Sequence, residues 1–158
     1  MEIRINIEEY DSLSGLTRKD RDLIEAAREA AGNAYAPYSE FRVGAAILLE
    51  NGEVFTGNNQ ENAAYPDGIC AERVALFSAN SNRPGIPISI IAVTALTKHG
   101  LFPDPVYPCG SCRQALLETE NRFQQPIEVL MCGEKKIQAA RSIRDLLPLS
   151  FDSSFLSK

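Results

Sequence analysis

Two short cysteine-bearing segments constrain this chain more than any other feature. Cys70-Ala71-Glu72 is followed, across a strand-like stretch, by Pro108-Cys109-Gly110-Ser111-Cys112. Three thiols in that arrangement can hold one Zn²⁺ and leave its fourth position open. A carboxylate two residues after the first thiol, Glu72, could then act on whatever binds there. Cys109 and Cys112 stand three apart and so share one face of a helical first turn. Cys70 opens another helix, and helix N-termini favour thiolate over thiol. Three thiolates on Zn²⁺ leave a net negative centre, and Arg73, one turn on from Cys70, is placed to offset it by hydrogen bonding. The same spacing fits a plain surface cation on an amphipathic helix equally well.

The fourth thiol, Cys132, raises a competing possibility, a closed four-cysteine structural zinc. Its spacing is unlike the usual paired C-x₂-C units, and Cys132 reads more simply as a free thiol at a strand end. Glu72 favours the open site. Nucleophilic chemistry of the Ser-His-Asp or Cys-His kind needs a placed histidine. The single one, His99, sits beside Gly100 in a Lys- and Pro-containing loop and reads as solvated.

The length of 158 residues fits one domain spanning 1–158, long enough to bury a sizeable core. A net charge of −5 argues against a nucleic-acid partner, which would want a basic face. Small uncharged substrates stay open. No stretch approaches a membrane span, and Met1 to Tyr10 is charged and alternating rather than signal-like. The expected location is the cytoplasm, where four cysteines favour metal binding or catalysis over disulfides.

Hydrophobic periodicity and turn signals give the order of elements. Alternation at Ile3, Ile5 and Ile7 predicts a short first strand. Thr17 caps a helix to about Asn33, with Leu23, Ile24, Ala27, Ala30 and Ala31 on its buried face. Strands over 43–49 and 54–57 flank a tight Asn51-Gly52 turn. A polar loop over 58–69 leads to a helix from Cys70 to about Asn80. The apolar run 88–96 reads as a central strand covered on both faces. After a loop over 97–107, a helix runs from Cys109 to about Glu120, then a strand over 127–131. Too few residues follow for a parallel crossover, so the next strand, at Ile137, must return antiparallel. A last helical turn is expected over 142–147. The pattern implies a mixed sheet with helices on both faces.

Several motifs in order give the chain a resemblance. They are Tyr38 to Ala46 (YSEFRVGAA), Asn59 to Ala63 (NQENA), Tyr65 to Arg73 (YPDGICAER), Pro108 to Gln114 (PCGSCRQ) and Leu146 to Phe151 (LLPLSF). Zinc deaminases carry an H-x-E…P-C-x-x-C signature in which cysteine can replace histidine. From about Tyr35 to Phe151 the chain resembles the small, single-domain, three-cysteine cytidine deaminases.

The resemblance implies an α/β fold, a three-layer α/β/α sandwich around a mixed five-stranded sheet. It also implies a homotetramer whose active sites are completed by neighbouring subunits. By the same resemblance Cys70, Cys109 and Cys112 are zinc ligands and Glu72 is the proton carrier. Asn59 and Glu61 match positions that hold the ribose hydroxyls, although alone they would read as a polar turn-forming loop. Phe41 matches an aromatic on the pyrimidine, and would otherwise read as core. Phe151 matches an aromatic reaching a neighbour's site, and would otherwise read as a C-terminal plug. Ala71 matches a substrate-contacting position, and Ala63 and Tyr65 match positions near the nucleoside across a subunit boundary.

The implied reaction is hydrolytic deamination of cytidine and 2′-deoxycytidine to the uridines and ammonia. The alternatives are a deaminase of another cytosine-bearing molecule such as blasticidin S, or an idle zinc-stapled interaction module. The blasticidin S type lacks the Asn-x-Glu-Asn motif present here at 59–62. The chain departs from the family at Tyr107, where serine is common, and at Arg42, where proline is common. Residues 1–15 form an extension without a counterpart.

Overall fold

Thr17 starts the first helix, α1 (Arg18–Gly32), by closing a capping box with Asp20. The computed structural model describes residues 1–156. Strands β2 (Arg42–Leu49) and β3 (Val54–Asn58) form a hairpin whose turn places Gly52 at φ 88°, a conformation that favours glycine. Helix α2 (Ala71–Asn82) leads to β4 (Ile88–Thr97), the long central strand. Helix α3 (Gly110–Phe123) leads to β6 (Glu128–Cys132), and β7 (Ile137–Ala140) returns antiparallel as the short connection requires.

Two strands modify the expected five. Strand β1 is Ile7–Tyr10 rather than the Ile3-Ile5-Ile7 stretch, and it pairs antiparallel with β7 at the sheet edge. Its partner is only four residues long, so Ile3 and Ile5 find nothing to pair with and stay exposed. Strand β5, Gly100–Leu101, folds back on the end of β4 inside what reads as loop in the sequence. The sheet thus has seven strands, ordered β1-β7-β6-β4-β2-β3 with β5 on β4.

Alternation along the strands sends side chains to two cores. On one face Leu23, Ile24 and Ala27 of α1 meet Ala46, Leu48, Ile90, Ala92 and Leu130. On the other, Ala71, Ala75 and Leu76 of α2 and Leu116 and Leu117 of α3 meet Ile47, Ile91, Val93, Val129 and Met131. The result is the expected three-layer α/β/α sandwich. No helix among the described residues is long and apolar enough to cross a membrane.

Topology explains why α2 and α3 share a face and an end. Strands β3 and β4 are each antiparallel to β2, so they run parallel to each other. β4 and β6 are also parallel. Hence α2 and α3 are both crossover helices that leave the carboxyl end of a strand. Both crossovers step along the sheet in the same direction, so one handedness puts them on the same face. Their N-termini must therefore be neighbours.

Two glycines let the helices sit directly on the sheet. A Cβ on Gly57 would lie 2.4 Å from the Ala75 nitrogen and 2.5 Å from the Ala71 oxygen, in the first turns of α2. On the opposite face, a Cβ on Gly44 would lie 2.0 Å from the Ala27 oxygen of α1. Gly44→Ala and Gly57→Ala should each cost about 1–3 kcal/mol of stability by overpacking, read by urea denaturation. Only Gly57→Ala should also lower the metal content, because it alone displaces the helix that begins after Cys70. Equal metal loss in both variants would contradict this division of the two faces.

Candidate functional site

Cys70 and Cys109 are the N-cap residues of α2 and α3, and Cys112 lies in the first turn of α3. The convergence of the two helix starts brings all three sulfurs within 4.8 Å of one another. Cys70 Sγ lies 3.9 Å from Cys109 Sγ, and Cys109 Sγ lies 3.5 Å from Cys112 Sγ. Sulfurs at about 2.3 Å from a tetrahedral zinc stand roughly 3.8 Å apart. The three thiols therefore fit one zinc ion with little rearrangement.

Cys132 belongs to the other face. It is fully buried in the core beneath α1, where burial pushes its thiol up to about 12. The sheet separates it from the three-thiol cluster, so the arrangement is open and not a closed four-cysteine site.

Charge around the cluster is balanced locally. The Cys70 thiol is pushed well down, first by a hydrogen bond from Cys112 and also by the Arg73 guanidinium. The Cys112 thiol is pushed up, because it is the donor to Cys70 and is buried. Arg73 Nη2 donates to Cys70 Sγ at 3.8 Å, so it faces the thiolates rather than acting as a surface cation. Glu72 is 4% exposed, and burial, followed by the Cys70 charge, holds its carboxyl above the usual carboxylate range. A buried carboxyl with a raised pKa beside a metal site is suited to carrying a proton.

Beside Cys70 and Arg73 opens a cavity of about 540 Å³, within the usual range for small-molecule sites. Asn59, Glu61 and Tyr65 line it. The 58–69 loop is laced rather than loose. Tyr35 N donates to Asn59 O at 3.0 Å and Glu61 N to Tyr35 O at 2.8 Å, while Gln60 and Ile69 exchange two bonds at 3.0 Å. That ladder fixes Asn59 and Glu61 relative to Cys70.

Both polar residues also hold the neighbouring chain. Asn59 Oδ1 accepts from Val43 N at 2.7 Å, and its Nδ2 donates to Phe41 O at 3.0 Å. Glu61 Oε2 accepts from Tyr38 N at 2.8 Å and from Ser39 N at 3.3 Å, and Oε1 accepts from the Ser39 hydroxyl. The Ser39 bond, with the two backbone donors, holds Glu61 below the usual carboxylate range. Glu61 Oε1 and Asn59 Oδ1, with one donor each, keep room for a further one.

The remaining candidates scatter. Ala71 is buried under the cluster. Ala63 is exposed on the loop outside the cavity lining. Tyr65 is exposed and meets Tyr38 edge-on at 6.0 Å. Phe41 packs edge-on against Phe102 at 5.3 Å and lines an adjoining cavity instead. Phe151 is exposed and stacked on Phe155 at 5.3 Å.

Two residues gain a role that the sequence did not suggest. Arg113 Nε donates to Pro108 O and Nη1 to Leu146 O, both at 2.8 Å, tying the second thiol turn to the C-terminal segment. Gln114 Nε2 donates to Phe151 O at 2.8 Å. Their place directly after Cys112 was the available signal.

A family model, described as the cytidine and deoxycytidylate deaminase zinc-binding region, matches residues 17–124. The chain belongs to this family. A cytidine deaminase from Sporosarcina psychrophila is 39% identical over 136 residues, which cover 85% of this chain and 93% of that protein. One from Halalkalibacterium halodurans is 49% identical over 96 residues, covering 61% and 68%. A crystal structure of cytidine deaminase from Burkholderia pseudomallei superposes with a TM-score of 0.73 at 41% identity, over 86% of this chain and 100% of that one. The three-thiol cluster is where a deaminase of this family would hold its zinc.

Proposed function

We propose that this chain catalyses hydrolytic deamination of cytidine and 2′-deoxycytidine, with Cys70, Cys109 and Cys112 as zinc ligands and Glu72 as proton carrier. The observation that carries the reading is the buried carboxyl of Glu72 beside three converged thiols, one of which, Cys70, lines a cavity together with Asn59 and Glu61. Zinc held there supplies a Lewis acid that eases deprotonation of water.

The chain's own groups do the rest. Glu72 takes the proton of the attacking water and delivers it to N3 of the pyrimidine as C4 is attacked. It then carries the proton of the new C4 hydroxyl to the amino group, which leaves as ammonia as the C4 carbonyl forms. The Glu72 carboxyl, held above the usual carboxylate range by burial, suits both taking and giving a proton. Asn59 and Glu61 hold the sugar hydroxyls with the hydrogen-bonding capacity their backbone contacts leave free. Arg73 offsets the charge of the thiolates. The names of the relatives, all cytidine deaminases, favour a nucleoside over an antibiotic such as blasticidin S. The acidic charge favours no nucleic acid, and the proposed location is the cytoplasm.

Glu72→Gln should retain one zinc per chain while losing turnover by at least two orders of magnitude, the usual scale of general acid–base catalysis. The measurement pairs metal analysis with ammonia release from cytidine, deoxycytidine, cytosine, dCMP and blasticidin S. Zinc loss in the variant, or near-parental turnover, would sink the assignment. Preference for blasticidin S in the parent protein would replace the substrate.

The proposed assembly is a homotetramer in which Phe151 completes a neighbour's site. Phe151 and Phe155 form an exposed stacked pair outside their own chain's cavity, as interface aromatics do. Co-expressing Glu72→Gln chains with Phe151→Ala chains should then recover part of the activity that each lacks alone, since some sites would combine both intact residues. A monomer by light scattering, or mixed tetramers without recovered activity, would remove the trans role.

A further inference from the structure

The family match begins at residue 17, so β1 lies outside it. Yet β1 is linked, through Gln138, to the turn that leads into Cys109. Glu9 stands opposite Gln138 in the β1–β7 ladder. Gln138 Nε2 donates to Glu9 Oε2 at 2.8 Å, and Gln138 Oε1 accepts from the Tyr107 hydroxyl at 2.9 Å. Lys136 Nζ donates to Glu9 Oε1 at 3.0 Å. Tyr107 directly precedes Pro108-Cys109.

The relay has a fixed direction. A carboxylate only accepts, so Glu9 draws the amide nitrogen of Gln138 and leaves its oxygen facing Tyr107. Hydrogen bonds from Gln138 and Lys136 hold Glu9 below the usual carboxylate range, as the acceptor role requires. Among the described residues, hydrogen bonds reach the 104–108 stretch at two points. One is the Tyr107 hydroxyl, and the other is the Pro108 carbonyl held by Arg113 at 2.8 Å.

Burial adds a reason for the tether. Cys112 is buried and Cys70 half-buried, whereas Cys109 is exposed. Packing therefore holds Cys109 least, and its place depends most on the turn before it.

We propose that β1 positions the second half of the metal site: Glu9, through Gln138, anchors Tyr107 and so fixes the Pro108-Cys109 turn that offers its thiol to zinc. Tyr107, the departure from the family's usual serine, is the far end of this relay and donates its hydroxyl to Gln138. The proposal rests on the three thiols holding zinc. That premise is checked separately, by zinc stoichiometry in the parent protein.

The test follows transfer of zinc from the loaded protein to a chromophoric chelator such as 4-(2-pyridylazo)resorcinol. Tyr107→Phe, Gln138→Leu and Glu9→Leu should each release zinc roughly three- to tenfold faster, the scale of one lost hydrogen bond. Combining Tyr107→Phe with Glu9→Leu should add nothing further, because both break the same relay. Glu9→Gln should release zinc more slowly than Glu9→Leu, since its amide loses the second acceptor but still bonds Gln138 and keeps the link to Tyr107. A purely structural role for β1 would make Glu9→Gln and Glu9→Leu alike in release while changing the melting temperature. Parental release rates in the three variants, additive effects in the double variant, or failure of Glu9→Gln to rescue would each overturn the proposal. A parent protein holding no zinc would overturn the premise and the proposal with it.

Discussion

β3 and β4 run the same way because each is antiparallel to β2, and that shared direction sets two helix starts side by side on one face of the sheet. Residues 39 positions apart in sequence, Cys70 and Cys109, thereby become neighbours at 3.9 Å. Each caps a helix, where free N–H groups and the helix dipole favour a thiolate. Without that convergence the chain would carry two separate half-motifs. With it, three thiols, a buried carboxyl and a guanidinium share one end of the sheet, which is where open α/β sheets place ligands.

The site economises on residues. Asn59 and Glu61 would be costly as loose polar groups, but each first satisfies the backbone of residues 38–43, so their orientation is set before any ligand arrives. Arg113 does the same for the second thiol turn, joining Pro108 to Leu146. The C-terminal segment follows directly, with Phe151 held by Gln114 only two residues after Cys112. The second thiol turn is thus joined to the C-terminal tail, and the 59–61 segment to residues 38–43, by bonds between side chains and the main chain rather than by surface ion pairs, which contribute little when exposed.

Features governed by local chemistry were legible in the sequence. The Thr17 cap, the Asn51-Gly52 hairpin, the antiparallel return after Met131 and the spacing of Cys109 and Cys112 all follow from a few adjacent residues. Features that depend on a distant partner were not. Ile3 and Ile5 alternate as a strand should, but β7 offers only four residues of edge, and the pairing shifted to Ile7–Tyr10. The β5 hairpin rests on two residues and a glycine at φ 105°, too little pattern to see. The lacing of 58–69 to Tyr35 is likewise long-range, and so the segment read as loop. Cys132 was ambiguous by spacing alone. The alternation of β6 decided it by sending that thiol to the α1 face.

An open three-thiolate zinc is the claim on which the chemistry stands. X-ray absorption at the zinc edge of the loaded protein, free of substrate, reads the coordination shell directly. The expected result is three sulfur scatterers at about 2.3 Å and one oxygen or nitrogen at about 2.0–2.2 Å. Four sulfur scatterers, or a shell dominated by nitrogen and oxygen, would contradict it.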